Sequence, residues 1–205
     1  MGVKITRNFQ KKFSYLVMSF LVLSTLILIF EKSYFNVLLT VGMIILISIP
    51  TFSKFNAHLP PGFNISLVVF VFFSIYLGEI LKFYETYAWW DLMLHFLSGI
   101  MLGMLGFMLV YMLNKEKKIH FSLNPGFIAL FAFSFSMALA GVWEVFEFFM
   151  DTAFGLNMLK SGILDTMGDL TVALIGSLVV AVSAYLLMIH KTGSTRNYIT
   201  RLLKN

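Results

Sequence analysis

Residues 126–150 read GFIALFAFSFSMALAGVWEVFEFFM. From Gly126 to Trp143 no side chain is charged, and then Glu144 and Glu147 follow within one turn. An apolar run of about 18 residues or more suits a bilayer with a hydrocarbon core of roughly 30 Å, whereas a buried helix of a soluble domain is usually shorter. Carboxylates at the end of such a run are costly unless something inside the membrane uses them. The stretch thus points to a membrane-spanning all-α fold with a polar site inside it.

Composition carries the reading outward. The 205 residues are 59% hydrophobic, 12% charged and 17% aromatic. A soluble domain is roughly 45–50% apolar and about 25% charged, so this chain lacks the polar surface that water requires. Apolar runs predict a polytopic integral membrane protein with six transmembrane helices, over Phe13–Phe30, Tyr34–Ile49, Phe63–Leu81, Asp91–Leu113, Gly126–Met150 and Asp165–Ile189. They form one transmembrane domain over 1–205, with a motif-bearing four-helix core over 63–189. The first run is longer than the apolar part of a signal peptide, and Glu31-Lys32-Ser33 offers no small-x-small cleavage site, so it reads as a retained helix. Pro50 closes the second run.

Two classes of function fall away. With no cysteine there is no disulfide framework, thiolate metal site or cysteine nucleophile. The net charge of +5 gathers in no basic groove with interleaved aromatics, so nucleic acid is not expected as a partner. The positive charge instead orients the chain. With both termini cytoplasmic, all Lys and Arg except Lys32, Lys82 and Lys160 fall on the cytoplasmic side, as the positive-inside rule requires. The acids do the reverse, since only Glu116 is then cytoplasmic. Topology does not demand that second asymmetry, so it needs another cause.

Depth supplies one. Asp91 opens the fourth span with His95 at i+4, and Asp165 opens the sixth with Asp169 at i+4. Glu144, Glu147 and Asp151 share a face of the fifth at i, i+3 and i+7. At 1.5 Å per residue, Glu144 lies about 10 Å below Asp151, and His95 and Asp169 about 6 Å below the starts of their helices. Three helices therefore bring polar groups to one layer, one to two turns below the outer surface. Glu79, near the outer end of the third span, is a further candidate.

Plainer explanations cover part of this set. Asp91 and Asp165 also suit free N–H groups and the dipole at a helix start. Asp151 is also explained as a solvated hairpin residue, and Glu79 has Lys82 at i+3 as a partner. Glu144 and Glu147 have no such excuse, because they approach a helix C-terminus where the dipole disfavours negative charge. Each ionised acid in a span costs about 2.5–3.5 kcal/mol even on lenient scales. Either several are protonated or a bound cation neutralises them. Carboxylates with one imidazole suit a hard or borderline divalent metal ion, with Zn, Mn, Mg and Fe left open. The expected ligands are Asp91, His95, Glu144, Glu147 and Asp169, and helical bundles build such sites from facing helices. Gly99 and Gly103 read as helix-packing residues.

Three motifs carry a resemblance. Trp90-Asp91-Leu92-Met93-Leu94-His95-Phe96-Leu97-Ser98-Gly99, Trp143-Glu144-Val145-Phe146-Glu147-Phe148 and Leu164-Asp165-Thr166-Met167-Gly168-Asp169-Leu170 are similar to the signatures of the YjdF-like inner-membrane proteins. A looser similarity reaches the VanZ-like proteins. The resemblance covers roughly 63–189 and implies a small multi-pass protein of a prokaryotic cytoplasmic membrane. Its motif positions are Asp91, His95, Glu144, Glu147, Asp165 and Asp169. Ser98 stands where some relatives carry glutamine. The family lends the motifs weight without lending them a reaction.

Three functions compete. The first is a metal-dependent hydrolase or transferase on a membrane lipid or lipid-linked small molecule, with Asp165 or Glu147 as the catalytic carboxylate. The second is a transporter or channel for protons or cations. The third is a non-catalytic membrane protein with a structural cation site. The acids stop in the outer half, with no inverted repeat, which favours the first over the second. A homo-oligomer stays open.

Overall fold

The computed structural model describes residues 6–52, 59–115, 123–160 and 162–189. Lys4, Lys54, Lys117, Lys118, Lys191, Arg196, Arg201 and Lys204, expected on the cytoplasmic side, lie with Glu116 outside the described residues. Among the described residues six helices are long and apolar enough to cross a membrane, and there is no strand. Only 17–39% of each span is buried, so most of the apolar surface faces outward, as lipid rather than water would allow.

The chain divides into two units, one running to Tyr87 and the other starting at Ala88. The expected four-helix core over 63–189 therefore draws on both. In the first unit, α1 (Arg7–Phe30) starts at Thr6, whose hydroxyl accepts from Phe9 N at 3.2 Å. Helix α2 (Tyr34–Phe52) runs past the expected stop at Pro50. Pro50 falls in its last turn, where few amide bonds remain to be lost, and Ser48 and Thr51 bond back to Ile44 O and Ile47 O at 2.7 Å. Helix α3 (Pro61–Val71) begins with proline at its first position and widens into a π-helical stretch, Phe72–Ile80. That wider turn stacks Phe72 on Tyr76 at 5.0 Å, and the Tyr76 hydroxyl meets Ser24 Oγ at 3.1 Å. Leu21, Met43, Ile47 and Val68 form the core of this unit. A short helix, α4 (Phe83–Thr86), ends it.

The second unit packs α5 (Trp90–Lys115), α6 (Pro125–Phe154) and α7 (Ile163–Ile189) against one another. Small residues set the spacing. A Cβ on Gly99 would strike the carbonyl oxygen of Ala173, and one on Gly176 would strike that of Phe96, so α5 and α7 touch backbone to backbone. Gly106 packs less tightly on α6, against the Phe135 side chain and Ala132 Cα. Ser136 ties α6 to this layer by donating to Gly99 O at 2.9 Å. Asn124 caps the start of α6 through Gly126 N, and Gly155 at φ 67° ends it.

Candidate metal centre

The close contact of α5 and α7 determines what can lie one turn above it. His95 precedes Gly99 by four residues and Asp169 precedes Ala173 by four, so each stands a turn nearer the helix starts than that contact. Helix α6 runs the opposite way and carries Glu144 and Glu147 to the same level. His95, Glu144, Glu147 and Asp169 are all buried, Asp169 to 2% exposure, while Asp91 sits above them at the rim.

His95 is the centre of the arrangement. Its Nε2 lies 3.6 Å from Asp91 Oδ1 and 4.0 Å from Asp169 Oδ2. Its Nδ1 lies 3.7 Å from Glu144 Oε1. Two triads share it, Asp91–His95–Asp169 and His95–Glu144–Glu147, each with one donor atom per residue within 4.8 Å of the others. Donors bound to one first-row ion at roughly 2.0–2.2 Å cannot be more than about 4.4 Å apart, so both triads fit an ion with shifts of a few tenths of an ångström. Both oxygens of Glu144 and Oδ1 of Asp169 are buried without a hydrogen bond of good geometry, although Thr166 interacts with Glu144. Buried polar atoms are almost always paired, so these unpaired oxygens call for a partner; Gln10 and Ser14 of the first unit are also buried without one, but they carry no charge.

The outer partners hold the acids by one oxygen and leave the other for the centre. Lys160 Nζ pairs with Asp91 Oδ2 at 2.5 Å, which turns Oδ1 toward His95. Trp143 Nε1 donates to Glu147 Oε1 at 2.9 Å. Neither contact was expected from spacing alone. Lys160 reaches Asp91 because the hairpin between α6 and α7 is fixed, and Asp151 does the fixing. Its two carboxylate oxygens accept from Met158 N at 2.7 Å and Leu159 N at 2.9 Å. Asp151 is thus a hairpin anchor rather than a member of either triad. Asp165 stands in the first turn of α7 with Oδ2 buried and without a hydrogen bond, also outside both triads. Glu79 is exposed in the first unit, and Lys82, its expected partner, pairs with Glu85 at 3.2 Å.

Fold and site together define a class: a polytopic helical membrane protein with a carboxylate–imidazole cluster inside one three-helix unit. The family model of predicted membrane proteins designated DUF2238 matches residues 13–190, and the chain belongs to that family, which is the YjdF family. This includes the first two spans, which the motifs alone did not reach. An uncharacterized protein of Thermotoga maritima is 28% identical over 130 residues, 63% of this chain. The aligned part spans 65% of that relative's length. No solved structure matches.

Proposed function

We propose that the second unit is a membrane-embedded, divalent-metal-dependent enzyme, a hydrolase or transferase acting on a membrane lipid or lipid-linked small molecule. The observation that carries this reading is the convergence of His95 with Asp91, Asp169, Glu144 and Glu147, with buried carboxylate oxygens left unpaired. One imidazole and Lys160 cannot balance the acids Asp91, Glu144, Glu147, Asp165 and Asp169. At about 2.5–3.5 kcal/mol for each ionised acid in a span, a bound dication is the economical counter-charge. The charge distribution of the sequence favours cytoplasmic termini and a site in the outer half of the bilayer, and the resemblance to YjdF-like inner-membrane proteins favours a prokaryotic cytoplasmic membrane.

Asp91, His95, Glu144 and Asp169 would hold the ion, which when bound would supply Lewis acidity to an attacking water and to the scissile group. A carboxylate off the ion, Asp165 or Glu147, accepts the proton of that water. Ile163 and Leu164, strongly exposed at the start of α7, give the site an apolar border suited to an acyl or isoprenoid chain. The test is elemental mass spectrometry of detergent-purified protein, wild type beside His95→Gln/Asp169→Asn, with lipid extracts compared before and after incubation. A near-stoichiometric divalent ion that disappears in the variant, with a lipid altered only when the ion is present, is the expected result. No ion after reloading, or no lipid altered by the loaded protein, sinks the proposal, and cation and proton flux would then be measured.

A further inference from the structure

We infer that the two nitrogens of His95 divide the cluster into a cation-binding side and a proton-holding side. The cation lies on the Nε2 side, held by His95 Nε2, Asp91 Oδ1 and Asp169, while Glu144 accepts a hydrogen bond from Nδ1–H and Glu147 stays off the ion. This rests on the metal reading above and narrows its ligand set.

A neutral imidazole has one lone pair on one nitrogen and a hydrogen on the other, and the two point to opposite sides of the ring. One ion therefore uses only one of the two triads through His95. The sides are not equivalent. Facing Nε2, Asp91 Oδ1 and Asp169 Oδ2 come from α5 and α7, whose separation is fixed by backbone contact at Gly99 and Gly176. Lys160 occupies the far oxygen of Asp91, leaving Oδ1 as a single donor, and Asp169 Oδ1 has no partner. Asp165 interacts electrostatically with Asp91, Lys160, Asp169 and Glu144, so its charge bears on the whole cluster.

Facing Nδ1, the donors serve a different purpose. Glu147 already accepts from Trp143 through Oε1. Glu144 Oε1, at 3.7 Å from Nδ1, needs only a small rotation to reach hydrogen-bond distance. A carboxylate on the nitrogen opposite the metal fixes the tautomer and orients the ring, and losing it typically weakens metal affinity about 10–100-fold without abolishing it. Glu144 is accordingly a positioning residue.

The experiment loads the full chain in detergent with Co²⁺ and measures affinity by equilibrium dialysis and site geometry by visible absorption. Wild type is compared with Asp91→Asn, Asp169→Asn, Glu144→Gln and Glu147→Gln, each first checked by gel filtration. Asp91→Asn and Asp169→Asn are expected to remove stoichiometric cobalt. Glu144→Gln should keep it at about 10–100-fold weaker affinity with shifted bands, and Glu147→Gln should keep affinity within a few-fold. Wild type should also give one exchangeable, paramagnetically shifted imidazole N–H signal that Glu144→Gln loses. Asp91→Asn, at the rim, decides the matter where Asp169→Asn does not fold. Loss of cobalt in the two glutamate variants with retention in the two asparagine variants overturns the division, and so does equal loss in all four. Wild type that binds no Co²⁺ overturns the metal reading itself.

Discussion

The two units bury polar groups in opposite ways. In α1–α3 the buried polar side chains are uncharged, among them Gln10, Ser14, Thr40, Thr51 and Asn64. Several are hydroxyls that bond back to their own helix or to a neighbour, as Thr25 does to Thr40 at 2.9 Å. In α5–α7 the buried polar set includes three ionisable acids and a histidine. The first pattern is what helix association in lipid needs, since a hydroxyl satisfied within its own helix costs little. The second exceeds what association needs, because its unpaired buried atoms belong to carboxylates, whereas those of the first unit, on Gln10 and Ser14, are uncharged. The difference separates polar residues that hold helices together from those that do chemistry.

The sharpest way to break that contrast is to charge the first unit. Met43 is fully buried among apolar neighbours. Met43→Glu should cost about 3 kcal/mol or more, read as lost folded yield and a lower melting temperature in detergent. A tolerated glutamate there would mean that both units accept charge and the contrast is empty.

Removing charge from the second unit should do the reverse. In EDTA, Asp169→Asn should raise the melting temperature, because a buried acid with a penalty of about 2.5–3.5 kcal/mol when ionised is gone. With a divalent ion added, wild type should gain stability by mass action and the variant should not. The crossing of the two curves is the signature. A variant that melts below wild type in both conditions would make Asp169 a structural residue.

Packing sets the next effect. Gly176→Val pushes a side chain into Phe96 O and should cost about 1–3 kcal/mol, with loss of the site's metal. Gly141→Ala serves as its partner, since a Cβ there meets nothing within 4 Å and alanine should be neutral or slightly stabilising. The smallest effect belongs to Trp143→Phe. It removes one hydrogen bond to Glu147, about 1 kcal/mol, and should change turnover more than melting.

The sequence made much of this contrast readable. Spans are legible because lipid demands long apolar runs, and the structure moves their ends by at most six residues, as from Leu113 to Lys115, from Asp165 to Ile163 and, at the large end, from Phe13 to Arg7. The meeting of Asp91, His95, Glu144, Glu147 and Asp169 is legible because helical spacing and depth fix height and face together. What spacing does not encode is the hairpin. Lys160 adopts φ 34° between Gly155 and Gly162, both at φ 67°, and no periodicity foretells that its ammonium lands on Asp91. The π-helical turn at Phe72–Ile80 is hidden for a similar reason, as an i to i+5 ladder leaves the apolar composition unchanged. The grouping of α3 with α1 and α2 rests on tertiary packing around Met43, which no local pattern carries.

The reciprocal contact of Gly99 with Ala173 and of Gly176 with Phe96 acts as a fulcrum. Backbone atoms, unlike side chains, have no rotamers through which to yield, so the gap between α5 and α7 at that height is nearly incompressible. His95 and Asp169 each sit on a lever arm of about 6 Å above it. Over that arm a tilt of about 5° between the helices moves a donor by roughly 0.5 Å, the tolerance within which a metal site must be held. The dimension of the cluster is thus machined one turn below it, by residues that touch neither acid nor imidazole.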